Sequence, residues 1–263
     1  MTPEKGFEAA IARANHLIKL YELICDTRKR SVKDQWSEAF KKVMRWPVGE
    51  GIIRVDGKEK KSILVFRESC GIDRSHFAHN VLSELLRSSV VASVSAIDRL
   101  VHDLVVKHSW KLLTRADRDI PPRLKKLHIS VFQTKKAIEH LRKDGSSRPG
   151  NLIKSAIQEQ LHRDFTFQSP NAILEASKLL GIANFWSEVA SHMPGVTAKK
   201  AVIDELELIT RRRNQIVHEA DLVRTKRHEA RLRDISLKQA VDTVTWIASF
   251  GKAISQVVST NVK

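Results

Sequence analysis

The chain has 263 residues, of which 42% are hydrophobic and 29% charged, with 10 Gly and 7 Pro; this is a soluble globular composition and excludes disordered, collagenous and low-complexity classes. Two cysteines, Cys25 and Cys70, are too few for a disulfide framework or a Cys-based zinc site. The 46 Lys and Arg against 30 Asp and Glu give a formal charge of +16, which points to a polyanionic partner, nucleic acid first.

Aromatic residues make up only 6% of the chain, and apolar residues recur at intervals of three and four, so the expected class is mainly α. A first amphipathic helix is predicted from Phe7 to Cys25 on Ile11, Ala14, Leu17, Ile18, Tyr21 and Leu23. A second runs from Val32 to Trp46 and stops at Pro47. Next, Ile52-Ile53-Arg54-Val55 and Ser62-Ile63-Leu64-Val65-Phe66 flank Asp56-Gly57, a dipeptide suited to the positive φ angles of a tight turn, which predicts one β-hairpin. Residues 1–70 read as a basic N-terminal unit of two helices and this hairpin, with residues 71–263 as a separate helical domain.

From Ser75 to Trp110 the broad apolar face of Leu82, Leu85, Leu86, Val90, Val94, Ile97, Leu100, Val101 and Leu104, with Phe77 and Val81 before it, predicts a long helix buried on several sides. Pro121-Pro122 breaks the chain, a basic helix is expected from Arg123 to Lys143, and DGSSRPGN at 144–151 reads as a loop. Shorter helices follow at Leu152–Leu161, after Ser169-Pro170, and at Ala183–Ser191. The segment Thr197–Leu222 carries another helix, and a last one runs from Ser236 to Val258. The N-terminal stretch has no apolar run long enough for a signal peptide, and no run of about 18 uncharged apolar residues occurs, so the expectation is a cytoplasmic protein with no membrane partner.

Gly-rich phosphate loops, H-E-x-x-H, paired Cys-x-x-Cys and G-x-S-x-G are all absent, so no cofactor and no metal site is expected. Arg and His remain. Positions 202, 206, 209, 213 and 216 of one helix alternate by four and three and hold Val, Leu, Ile, Arg and Ile, so Arg213 interrupts an apolar stripe. Burying a guanidinium there costs several kcal/mol unless it is paired, so either a salt bridge or an anion site is implied. Asn214 and His218, four apart, share the flank of that stripe. Arg211 and Arg212 point toward solvent or a phosphate backbone.

Spacing alone does not single this group out. With 22 Arg and 11 His, about three such Arg–His pairs arise by chance, and the chain holds three: Arg74/His79, Arg123/His128 and Arg211 to Arg213/His218. The third alone combines an Arg on an apolar stripe, a polar residue after it and a His at a helix end. For His218 the competing reading is a helix-terminal cap on backbone carbonyls. For Asp98, with His102 four residues on, a partnership with Arg213 competes with a plain intrahelical Asp–His pair.

The string RRRNQIVHEAD at 211–221 resembles the signature of HEPN domains, in particular the RiboL-PSP-HEPN branch. SVSAIDRLVHDLV at 93–105 is similar to that branch's Ala-x-Asp-x-x-x-His-Asp stretch, and SPNAILEASKLLGIANFWSEVA at 169–190 resembles its middle segment. The resemblance covers about residues 75–258. It implies a HEPN-like helical bundle, carrying here a basic helical N-terminal unit and one β-hairpin, and a homodimer in which Arg and His of both chains meet in a composite cleft. It further implies metal-independent endoribonuclease activity in toxin–antitoxin or phage-defence systems, with Arg213, Asn214 and His218 as the catalytic group and Asp98 and His102 in support.

On this reading His218 transfers a proton near neutral pH and Arg213 stabilises charge on the phosphate, while Asn214 orients the phosphate or the imidazole. Arg211, Arg212, Lys41, Lys42, Lys60 and Lys61 are the candidates for binding RNA, and an antitoxin or regulatory protein is a further expected partner. Some HEPN domains bind nucleotides without cutting, so a non-catalytic nucleic-acid module or adaptor is the alternative.

Overall fold

A computed structural model of the chain describes residues 2–25, 27–57, 59, 61–114, 119–128, 131–132, 134–135, 138–139, 149–224 and 230–262. Helix α1 (Pro3–Ile24) begins at Thr2, whose hydroxyl accepts from the Lys5 amide at 3.3 Å, and has Pro3 in its first turn, where no amide hydrogen is needed. Phe7, Ile11, Ala14, Ile18 and Tyr21, one per turn, form its buried face. They pack on α3 (His79–Thr114) and α9 (Leu237–Asn261). Phe7 lies so close over Gly251 of α9 that a Cβ there would sit 2.2 Å from Cζ of the ring.

Helix α3 is the axis of the molecule. It is preceded by a 3-10 turn at Arg74–Phe77, one turn later than the predicted start, and Leu86, Val90, Val94, Ile97, Leu100 and Leu104 are almost fully buried. Burial of such side chains contributes about 1.5–3 kcal/mol each. Ser89 and Ser93, also buried, donate to the carbonyls of Leu86 and Val90 in their own helix, so small polar residues sit there without stranded hydroxyls.

Beyond α3, a four-residue α4 (Pro122–Lys125) ends at Lys126; of the basic helix expected from Arg123 to Lys143, positions 131–132, 134–135 and 138–139 are helical again, and the others from 129 to 143, with residues 144–148 of the expected loop, lie outside the described residues. The chain resumes as α5 (Pro149–Asp164), α6 (Pro170–Leu179) and α7 (Phe185–His192). Ser169 caps α6, accepting from the Ala172 amide at 3.3 Å, as Ser-Pro at that position predicts. Helix α8 (Lys199–His218) lies against α3 and α7, and α9 opens with a capping box of Ser236 and Gln239. No helix among the described residues is long and apolar enough to cross a membrane.

Between α1 and α3 lies a small antiparallel sheet, in the order β1 (Arg28–Arg30), β2 (Ile52–Asp56), β3 (Ile63–Arg67), with α2 (Asp34–Met44) inserted after β1. The expected hairpin is therefore two of three strands, with β2 at the centre of the sheet. Its connection is also longer than a two-residue turn: Gly57 does not adopt positive φ but lets the backbone pass Leu23, whose carbonyl would stand 2.6 Å from an added Cβ. A second hairpin that the sequence reading did not include, β4 (Leu222–Arg224) with β5 (Ala230–Leu232), follows α8.

Candidate functional site

Along α8, Val202, Leu206 and Ile209 are buried, Arg213 and Ile216 are half-buried, and Asn214 and His218 are exposed. The apolar stripe thus runs out at Arg213, which stands where the buried face meets solvent. Its desolvation cost is correspondingly smaller than full burial would impose. Arg213 Nη1 donates to Asn214 Oδ1 at 3.0 Å and lies 3.4 Å from His218 Nε2. The contact with Nε2 uses the ring lone pair, so it requires the neutral tautomer with its proton on Nδ1. Arg213 Nε is shielded from solvent and has no hydrogen-bond partner among the described residues.

Arg213 therefore reaches both Asn214 and His218 at the end of one helix. No hydrogen bond joins the His218 ring to a helix carbonyl among the described residues; the ring turns back along the helix toward Arg213. A guanidinium, an amide and an imidazole at one rim supply two anion donors and one proton carrier.

What fixes the rim is a buried ion cluster that the sequence reading missed. Helix α8 ends in a tight reversal: the amides of Glu219 and Asp221 both donate to the Gln215 carbonyl, at 3.1 and 2.9 Å, and Ala220 and Asp221 both take left-handed φ, 49° and 55°. Non-glycine residues enter that region at a cost of about 1–2 kcal/mol each. The Asp221 carboxylate offsets it. Only 1% exposed, it accepts from Arg87 Nε at 2.6 Å and from both terminal nitrogens of Arg212, Nη2 at 2.9 Å. Arg87, itself buried on α3, also donates to Ser83 Oγ at 2.7 Å and to the Arg233 carbonyl at 2.7 Å. Residues 134 apart in sequence thus pin the exit of α8 and the β4–β5 hairpin to the central helix.

Arg212, expected to face solvent or phosphate, is consumed by this cluster, while Arg211 is exposed. The only sequence signal for the cluster was Arg87 itself, a charge between the buried Leu86 and Val90 of α3.

Asp98 makes no contact with Arg213. Its Oδ1 accepts from the Phe167 amide at 2.6 Å and its Oδ2 from Gln168 Nε2 at 3.1 Å, with His102 Nε2 3.5 Å away. It anchors the entry to α6, and the Gln168 carbonyl in turn accepts from Thr210 Oγ1 of α8 at 2.8 Å. Asp98 therefore reaches the site only through the loop that braces α8. His102 is buried, stacked on His162 at 4.4 Å and beside Phe167 at 4.5 Å; burial pushes its pKa down, the Asp98 charge opposes that, and His162 adds to it. It is a packed histidine, remote from the Arg213 rim by every contact described.

Of the lysines, Lys41 is bound by Glu38 at 3.0 Å and Lys61 by Glu59 at 2.6 Å, Lys42 is exposed, and Lys60 lies outside the described residues. Among the described residues no group of three or more His, Cys, Asp or Glu side chains could hold a metal ion.

No curated protein and no solved structure matches the chain significantly. The model of one protein family, RiboL-PSP-HEPN, matches residues 71–260, which takes in α3 to α9 and therefore Arg87, Asp98, Arg213, Asn214, His218 and Asp221. Together with the helical bundle, that match over most of the chain shows that it belongs to the RiboL-PSP-HEPN family.

Proposed function

We propose that the chain is a metal-independent endoribonuclease, with Arg213, Asn214 and His218 as its reactive group. The observation that carries this is their convergence: one guanidinium nitrogen within 3.0 Å of Asn214 Oδ1 and 3.4 Å of His218 Nε2, at a rim open to solvent. RNA brings its own nucleophile. The 2′-oxygen attacks phosphorus, the bond from phosphorus to the 5′-oxygen breaks, one imidazole takes the 2′-hydroxyl proton, and a protonated imidazole gives one to the leaving oxygen. Arg213 balances the charge that builds on the non-bridging oxygens, and Asn214 holds the guanidinium or the phosphate in register.

The cycle uses two imidazoles, and a symmetric homodimer supplies them. Large apolar side chains are exposed on the elements that carry and follow the rim, Leu208 and Val217 on α8, Leu222 and Leu232 on the hairpin, and Val241 on α9, which supports a second copy docking on this part of the bundle. A toxin or phage-defence effector in the cytoplasm, restrained by an antitoxin or regulatory partner, is the cellular role that this chemistry fits. The competing reading is a nucleic-acid or nucleotide module without catalysis, favoured by the chain's +16 charge.

The test is incubation of wild type and His218→Ala with end-labelled RNA in excess EDTA. Cutting by wild type alone, with 2′,3′-cyclic phosphate ends, is the expected result. RNA bound but uncut by both would transfer the assignment to the binding module.

A further inference from the structure

The segment between α1 and α3 lies before residue 71, where the family match begins, and is built differently from the bundle. Strand alternation divides its sheet into two faces. Ile53, Val55, Leu64 and Phe66 turn inward, where Phe66 meets Phe77 at 5.8 Å. The register sets Arg28 beside Asp56, Arg30 beside Arg54, and Ile52 beside Arg67, so all four arginines share the opposite face.

That face holds a single carboxylate. Asp56 accepts from Arg54 Nε at 2.8 Å and Nη2 at 3.2 Å, with Arg30 Nε 3.4 Å away. Neither Arg28 nor Arg67 forms an ion pair among the described residues, and both are exposed. Of the four guanidiniums only those of Arg30 and Arg54 reach Asp56; Arg67, opposite Ile52 at the other end of the hairpin, lies within electrostatic range of Glu50, and the strand residues of this face carry an excess of positive charge. Over residues 27–67, 12 Lys and Arg stand against 5 Asp and Glu.

Aromatic rings border these charges. Arg67 lies 5.2 Å above the Trp46 ring, Trp46 meets Phe40 edge-on at 5.5 Å, and Phe40 stacks on Trp36 at 4.9 Å. Helix α2, which carries Trp36 and Phe40, buries none of its residues, and Trp36 is 40% exposed. Exposing a tryptophan beside a surplus of arginine calls for a ligand that offers flat apolar faces and negative charge in alternation. A single nucleic-acid strand does so at every nucleotide, whereas a duplex hides its base faces.

We propose that this arginine-bearing sheet face and the Trp36–Phe40–Trp46 row form a binding surface for single-stranded RNA. The proposal rests on the nuclease reading for its choice of RNA.

It is tested with the full chain carrying His218→Ala, so that the RNA survives. A labelled uridine strand of about 20 nucleotides, and the same length as duplex RNA, are titrated over a range of KCl. The single strand binds more tightly. Arg28→Gln with Arg67→Gln weakens it by about tenfold or more and flattens the slope of log affinity against log salt by about 1.4, whereas Lys at both positions restores the slope. Trp36→Ala weakens it by roughly fivefold to a hundredfold without changing the slope. All three positions are exposed, so circular dichroism melts of the variants match the parent.

Unchanged affinity in the double variant overturns the proposal, as does equal binding of strand and duplex. The two readings fail separately. Wild type that leaves RNA intact while His218→Ala still binds it through this face retires the nuclease and keeps the surface. Cleavage by wild type, with the double variant binding as its parent does, does the reverse.

Discussion

Two arginines adjacent in sequence, Arg212 and Arg213, have been put to opposite uses. Arg212 is one side of a closed cluster in which Asp221 faces two guanidiniums and is cut off from water. Arg213 forms no ion pair among the described residues; its side-chain contacts are an amide oxygen and an imidazole nitrogen. The difference teaches how charge on a basic protein should be read. A paired guanidinium holds structure, and one left unneutralised at a rim keeps its charge for an anion that arrives later.

The sharpest way to break this comparison is to exchange the losses. Arg213→Ala and His218→Ala each lower RNA cleavage by about 10²–10⁴-fold, because they remove charge stabilisation or proton transfer. Both leave the urea unfolding midpoint close to wild type, since neither side chain fills the core. Cleavage at the wild-type rate in either variant would end the assignment of this rim.

Asp221→Ala does the opposite. It leaves the buried Arg87 guanidinium with only the exposed Glu84, 3.1 Å away, as a counter-charge and frees the left-handed turn, so unfolding free energy drops by about 3–5 kcal/mol. Cleavage then falls with the folded fraction and is largely recovered at low temperature. A chemical denaturation curve that overlays the parent would show the cluster to be dispensable.

Asp98→Ala is milder. It deprives the Phe167 amide and Gln168 of an acceptor and costs about 1–3 kcal/mol, with activity lost only so far as α8 shifts through Gln168 and Thr210. Activity lost without any loss of stability would instead tie Asp98 directly to the chemistry.

The smallest effect concerns pH. Burial is the leading cause that lowers the pKa of both His102 and His108, so the unfolded chain binds more protons than the folded one as pH falls below the ordinary imidazole value near 6.5. Stability is full above that value and declines beneath it. Melting temperatures measured from pH 7.5 to 5.5 should fall less steeply in His108→Gln than in wild type, and parallel slopes would refute the attribution.

The parts of the molecule that were legible in the sequence are those in which one local rule acts. The face of α1, the start of α6 at Ser169-Pro170, and the run Val202, Leu206, Ile209, Arg213 each declare themselves by period or cap. Strand β1 could not be read, because Arg28-Lys29-Arg30 has no alternation and is extended only by virtue of its pairing with β2. The same holds for β4 and β5, three residues each. The grouping of Arg213, Asn214 and His218 was visible because all three lie on one helix. The supports of that helix were not: Arg87 with Asp221 and Asp98 with Phe167 are meetings between distant segments, which no local period or cap announces.

That long-range closure has a consequence for synthesis. The turn after His218 takes its shape only when Asp221 reaches Arg87 and the Arg233 amide closes on the Asp221 carbonyl at 2.8 Å. Translation must therefore have passed Arg233 before this turn is fixed, so the end of α8 is set by a segment that leaves the ribosome after the helix it holds.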